Sequence, residues 1–289
     1  MPFASTRTPQ SGLPRGPARA GTAAKGVLLA LLLLPASAGQ ALAQDENFSF
    51  EDIQLTGTFG LGYSNGDYGT SQNTNVELGL PVLSLETGDF KFSASMPYLR
   101  ISGRGLVIFD ASGNPIIVKR RAPLPPDVRT GFGDLNLSAT YTLPSDALDG
   151  FEVNLTGSTK LPTASTRRRL STGEADFGIS TDISRQFGSW GPFLTIGYLF
   201  AGKTTAYQLE NTASVSAGTS LELGDGLVAV VSYDYDSSGT RLVTSSKELF
   251  GSLSWIRGNG MTLTGYGTVG LSSGSPGIGA GLLVSYGFN

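Results

Sequence analysis

Residues 171–202 read STGEADFGISTDISRQFGSWGPFLTIGYLFAG, and their alternation decides the fold class. Ile179, Thr181 and Ile183 share one phase, while Asp176, Gly178, Ser180, Asp182 and Ser184 share the other. A tight turn follows at Gly188-Ser189-Trp190-Gly191, and the chain returns with Leu194, Ile196, Tyr198 and Phe200 against Phe193, Thr195, Gly197 and Leu199. A period of two is the mark of a strand, because successive side chains on a pleated backbone point to opposite faces. Two such runs around a glycine-bounded turn predict an antiparallel hairpin.

The same rhythm continues in both directions. Upstream, Ile53, Leu55, Phe59, Leu61 and Tyr63 alternate with Gln54, Thr56, Thr58 and Gly60, and Phe90, Phe92, Ala94, Met96 and Tyr98 with Lys91, Ser93 and Ser95. Between them Val76, Leu78, Leu80 and Val82 read as the apolar face of a second strand whose other phase holds Glu77, Gly79 and Pro81. A fourth strand runs from Asp134 to Leu143, a fifth begins at Phe151, and five more follow the central hairpin, ending at Ile278–Phe288. The total is about twelve, each near the roughly 9–11 residues a tilted strand needs to cross a bilayer. Residues 103–129 break the rhythm and are expected either as a small hairpin above the sheet or as a segment folded into its interior.

Composition favours lipid over a soluble core. The chain has 40 Gly, 15% charged residues and 39% hydrophobic residues, as expected of a barrel showing apolar side chains to lipid and small polar ones to an interior. Short connections after Leu85, Leu143, Phe187, Leu223 and Ile256 alternate with mostly longer ones, again the habit of an outer-membrane barrel. The apolar phases carry almost no charge; Arg185 and Arg257 sit beside short turns, within reach of headgroups. Tyr98, Tyr141, Phe187, Tyr198, Tyr233, Trp255, Tyr286 and Phe288 fall on the lipid phase as girdle residues. A soluble β-sandwich or propeller is the competing fold, and it would bury those aliphatic faces in a core.

Residues 1–43 are read as a secretory signal: Arg7, Arg15, Arg19 and Lys25 lead into the apolar stretch Gly26–Leu34, and Ala41-Leu42-Ala43 is a cleavage site of small-x-small form. The barrel then occupies 44–289. The leader holds four of the 20 Lys and Arg and none of the 23 Asp and Glu, leaving 16 cations against 23 carboxylates. Such an acidic surface does not suit a nucleic-acid backbone. With His 0 and Cys 0, imidazole-based hydrolysis, imidazole or thiolate metal sites and disulfides are all excluded. No enzyme and no cofactor are expected.

Function should lie on the inward phase. Its candidates are Glu77, Lys91, Asp134, Glu152, Lys160, Asp176, Asp182, Glu210, Glu222, Asp234, Asp236 and Glu248, an acidic set that would favour cations in a water-filled lumen. Alternatively, these groups pair with lysines or loop arginines and plug the barrel. Phe193, Phe250 and Tyr266 also fall inward and would give a greasy patch. Two basic runs, Lys119-Arg120-Arg121 and Arg167-Arg168-Arg169, are expected in extracellular loops, where they could meet anionic lipopolysaccharide.

At Gly131-Phe132-Gly133-Asp134-Leu135-Asn136-Leu137, and again from Gly173 to Gly191, the sequence resembles the outer-membrane family named for the meta pathway of phenol degradation. The motifs are glycine and aromatic punctuation, spread over most of the chain after the leader. The resemblance implies a barrel that takes up small aromatic or hydrophobic compounds. Barrels of this class commonly end on an aromatic residue, whereas here Asn289 follows Phe288. The expectation is thus a transmembrane antiparallel β-barrel exported to a bacterial outer membrane. Its partners would be the barrel assembly machinery, lipid, lipopolysaccharide and small solutes, and its role a passive channel or, failing that, a sealed structural or adhesive barrel.

Overall fold

The computed structural model describes residues 53–68, 73–103, 107–109, 115–117, 127–144, 148–204, 207, 209–241 and 243–288. The expected leader, the Lys119–Arg121 run and Asn289 lie outside these residues. Among the described residues there is no helix. The strands are β1 (Gln54–Gly66), β2 (Thr74–Thr87), β3 (Phe90–Ser95), β4 (Tyr98–Gly103), β5 (Val107–Phe109), β6 (Pro115–Ile117), β7 (Asp127–Phe132), β8 (Leu135–Thr142), β9 (Phe151–Leu161), β10 (Asp176–Arg185), β11 (Trp190–Phe200), β12 (Thr212–Gly224), β13 (Leu227–Asp236), β14 (Ser246–Ile256), β15 (Met261–Gly270) and β16 (Ile278–Phe288). β5 and β6 pair only with each other, forming the small hairpin anticipated between residues 103 and 129.

All the others belong to one antiparallel sheet that closes on itself, with β1 bonded to β16 on one side and to β2 on the other. β3 and β4 are two halves of one wall strand, both paired with β2; β7 and β8 are two halves of the next, paired with β4 and β3. Counted this way the wall has twelve strands in up-and-down order. Closure leaves no strand edge, which hydrocarbon demands because it offers no hydrogen-bond partner. The short connections 88–89, 186–189, 225–226 and 257–260, and the strand ends at Thr142 and Phe151, share one end of the barrel with both ends of the described chain. The strand ends at Gly66, Thr74, Gly103, Asp127, Leu161, Asp176, Phe200, Thr212, Asp236, Ser246, Gly270 and Ile278 are at the other end.

The outer face is apolar along its height. Phe59, Leu61, Leu83, Ile179, Ile196, Val231, Leu253, Leu282 and Val284 are exposed there, with aromatics at both rims: Phe90, Phe151, Trp190, Trp255, Tyr286 and Phe288 toward the short turns, Tyr63, Phe177, Tyr198 and Phe200 toward the long loops. At that rim Arg185 lies over Phe151 and Phe187, at 4.9 and 5.2 Å from their centroids, and Arg257 lies 4.3 Å over Trp255. Both guanidiniums thus spend their charge on aromatic faces near an interface instead of facing hydrocarbon. Tyr98 is an exception among the anticipated girdle residues. It opens β4 beside the break from β3, edge-on to Phe132 at 5.3 Å, in the middle of the wall strand and not at a rim.

Two readings of the sequence need correction. β2 has the opposite phase: Glu77 is opposite Tyr63 and Arg100 on the outer face, while Val76 and Leu80 are buried inside the barrel. Alternation alone assigned the apolar residues of β2 to lipid, but pairing with β1 sets which phase faces out, and here the interior takes them. Secondly, the fourth wall strand starts at Asp127, not Asp134. A bulge hid its first half: Tyr98 is opposite Phe132 and Ser95 opposite Asn136, so Met96 and Pro97 face three residues, Gly133, Asp134 and Leu135. One extra residue inverts the phase. Arg129 and Gly131 point inward before the bulge, Asn136 and Ser138 after it. Gly133 is required there, because a Cβ would stand 2.8 Å from the Pro97 ring, and its N–H donates to Pro97 O at 2.7 Å.

Candidate functional site

The bulge turns Asp134 into the lumen, where it meets the inward ends of the next two strands. Lys160, on β9 opposite Asn136, is 1% exposed, and its Nζ stands 2.7 Å from Asp176 Oδ2 and 3.5 Å from Asp134 Oδ2. The ammonium also donates to Thr172 Oγ1 at 3.3 Å. Charges so deeply buried are tolerable only when paired and hydrogen-bonded. Both carboxylates are saturated further: Asp134 accepts from Ala164 N–H (2.9 Å) and Ser171 Oγ (2.7 Å), and Asp176 accepts from Gly202 N–H (2.8 Å).

Those donors belong mostly to the connection 162–175, which bends into the barrel as a strap. Its Leu170 is buried against Val76, Leu99 and Ile101, with Leu78 and Ala164 packed alongside. Arg129 donates from the wall to Arg169 O at 2.8 Å, and Arg168 donates back to Thr130 O at 3.1 Å. A second loop residue, Tyr68, is 1% exposed, with its hydroxyl 2.9 Å from Ser64 Oγ. Burial pushes its phenol up to about 12, with the Glu248 charge adding in the same direction. The long-loop half of the lumen is therefore packed by side chains from the loops.

Toward the short turns the interior opens. Lys91 pairs with Glu86 at 2.5 Å, the lysine exposed and the glutamate partly so. Gln186 donates to the Glu222 carboxylate at 3.3 Å, and Asn154 donates to Glu152 at 3.2 Å. In between, Thr195 Oγ1 donates to Asp182 (2.5 Å), and the Ser216 and Ser232 hydroxyls donate to Asp234 (2.5 and 3.2 Å). Glu248 accepts from Ser246 Oγ at 3.0 Å, and Asp236 shares the inward phase opposite Ser214. Neutral hydroxyls and amides thus contact most of these inward carboxylates.

Of the anticipated lumen residues, Lys91, Asp134, Glu152, Lys160, Asp176, Asp182, Glu222, Asp234, Asp236 and Glu248 are on inward phases. Glu77 is not; it pairs with Arg100 on the outer face. Glu210 precedes β12 and pairs with Arg241 on the long-loop rim. Arg167 and Arg168 are exposed in the strap. Phe193, Phe250 and Tyr266 do face inward, and the last two stack with centroids 6.1 Å apart. Sequence reading missed Leu170 and Tyr68, since a loop that folds back into a barrel carries no alternation to announce it, and Arg129, since the bulge hid β7.

Between the buried ion pairs and Tyr266 lies a semi-enclosed cavity of about 150 Å³. Its polar corner holds Asp134, Asn136 and Lys160; its remaining walls include Leu78, Pro97 and Leu99.

No protein-family model matches the chain, and none of the curated protein sequences does. Among solved structures, the chain is similar to an outer membrane channel from Pseudomonas putida F1, with TM-score 0.64 and 13% identity over 84% of this chain and 98% of that one. It is also similar to the NanC porin, with TM-score 0.50 and 10% identity over 81% and 99%. At these identities the likeness establishes the fold, a closed twelve-stranded barrel of the outer-membrane type.

Proposed function

We propose that the chain is an outer-membrane channel for passive uptake of small solutes, exported by its leader and inserted by the barrel assembly machinery. The observation that carries this reading is the division of the wall: aliphatic and aromatic side chains outside, hydrogen-bonded carboxylates inside. A low-dielectric wall around a surplus of carboxylate raises the local concentration of cations, so the pore is mildly cation-selective. The inward Phe250–Tyr266 stack and the apolar Leu78, Leu80 and Leu99 favour aromatic or hydrophobic solutes, as does the resemblance of residues 131–137 and 173–191 to the phenol-degradation family. Reconstitution tests this directly. Liposome swelling should report entry of phenol-sized solutes ahead of disaccharides, and planar bilayers in a salt gradient should give a cation-selective reversal potential. An anion-selective current would refute the selectivity, and impermeable vesicles the channel.

One observation favours a second reading, a sealed barrel that adheres to lipopolysaccharide. The strap is latched to Asp134 and Lys160 deep in the lumen while Arg167 and Arg168 stay exposed on its surface. Under that reading vesicles stay impermeable, and replacing both arginines by serine abolishes binding to lipopolysaccharide.

A further inference from the structure

Outward charges elsewhere on the described wall stay beside a rim: Arg185 closes β10, and Lys247 is the second residue of β14. Glu77 and Arg100 break that habit. Both lie three residues in from the long-loop end of their strands, level with Tyr63 of the aromatic band. They pair with each other, yet each side chain remains about half exposed on the outer face. Ionisable groups on a membrane-spanning surface rarely face hydrocarbon unsupported, so something polar is expected against this patch.

The register around the pair selects the occupant. Side chains directly opposite one another form rows across β1, β2, β4 and β7: Tyr63, Glu77, Arg100 and Thr130 in one, then Leu61, Gly79, Tyr98 and Phe132 in the next toward the mid-plane. Gly79 leaves a hollow, since a Cβ there would have no heavy atom nearer than 4.0 Å. Tyr98 does not fill it; the ring packs edge-on to Phe132 and is 47% exposed. A two-fold axis along the membrane normal keeps each residue at its own depth and reverses left and right. Set between β2 and β4, such an axis brings Arg100 against the partner subunit's Glu77, and Glu77 against the partner subunit's Arg100. One row deeper it brings Tyr98 over the partner subunit's Gly79. Charge meets opposite charge and ring meets hollow under one operation, which is the self-complementarity an isologous dimer requires. Small residues that admit close approach and polar groups that bond across are also what joins protein surfaces in lipid, where apolar area alone gives no drive. A phosphate headgroup fits less well, because Glu77 stands beside the guanidinium it would need. From this arrangement we propose that the outer face of β1, β2, β4 and β7 docks a second copy of this chain, through reciprocal Arg100–Glu77 contacts and Tyr98 seated over Gly79. The dimer requires insertion in a bilayer but is independent of whether the lumen conducts.

Because the chain has no cysteine, Asp89→Cys in the exposed turn at 88–89 gives a single labelling point for donor and acceptor dyes. In phosphatidylcholine vesicles free of lipopolysaccharide, energy transfer between otherwise wild-type copies should exceed the chance level at that protein density and be diluted out by unlabelled chain. Glu77→Arg and Arg100→Glu each set like charges face to face, and either alone should weaken association about a hundredfold or more. Mixed one to one, with donor on one variant and acceptor on the other, they should restore transfer, because opposite charges meet again across the axis. The pair within one copy is broken in both variants, so recovery cannot come from mending a monomer. Transfer at the chance level without either charge substitution, or a mixture no better than its components, overturns the dimer. Arg100-dependent retention of added lipopolysaccharide in place of transfer also overturns it and assigns the face to lipid. Should either charge variant lose the heat-modifiable gel migration of a folded barrel, Gly79→Trp decides. Its indole projects into open space and takes the seat of the partner subunit's Tyr98, so transfer must fall to chance; persistent transfer rejects the proposal.

Discussion

The two ends of the lumen treat charge in opposite ways. Near the short turns Lys91 and Glu86 pair in the open, where solvent screens them and either can be rehydrated at little cost. Near the long loops Lys160, Asp134 and Asp176 are sealed beneath the strap, where each charge depends on the others. Lysine–carboxylate pairs on inward strand phases are thus ornamental at one rim and structural at the other. Chain connectivity makes the difference: tight turns have no residues to spare, whereas the 162–175 connection is long enough to fold back and exclude water.

This contrast can be broken at its strongest point with Lys160→Met, which strands two buried carboxylates. Urea unfolding in detergent should show a loss of about 3–5 kcal/mol, and residues 162–175 should become sensitive to protease. Leu170→Ala attacks the same strap from its apolar side, with an expected cost of about 2–3 kcal/mol. Trypsin cleavage at Arg167–Arg169 should then accelerate while the far rim is unaffected. Wild-type cleavage rates in either variant would mean that the strap is not held by these contacts.

Alkaline titration sharpens the comparison further. Tyr68 has its folded phenol raised to about 12, whereas the unfolded phenol titrates near 10. Between those values the folded chain keeps a proton that the unfolded chain has lost. Its contribution is therefore complete below pH ~10 and disappears as pH rises through ~12, on the order of 2 kcal/mol. Unfolding midpoints followed across that window should fall more steeply in wild type than in Tyr68→Phe; parallel curves would show that the ring is not buried. The smallest effect belongs to the open rim. Lys91→Ala should cost less than about 1 kcal/mol and lose even that at high salt, so a larger, salt-independent loss would erase the distinction between the two ends.

Some of this was visible in the residues alone and some was not. The central hairpin announced its two faces correctly, and β13 did too, with Val231 and Tyr233 outside and Ser232 and Asp234 inside. β2 misled because both of its phases are apolar enough to face lipid; Pro81 and Gly79 are as acceptable outside as Val76 and Leu80. The early part of the fourth strand was concealed by the bulge at Gly133–Asp134, across which no single alternation persists. The inward position of Asp134, Lys160 and Asp176 could be read from phase. Their convergence could not, because it depends on register across two neighbouring strands.

Period-two patterning, glycine content and the spacing of turns were sufficient to specify a closed lipid-facing barrel of about twelve strands, since strand periodicity and bilayer thickness are local constraints that each segment must meet by itself. Only the tertiary structure decided which loop enters the lumen and which carboxylates share one lysine. Those features arise from contacts between residues distant in the chain, and local alternation holds no information about which distant partner a buried polar group will meet.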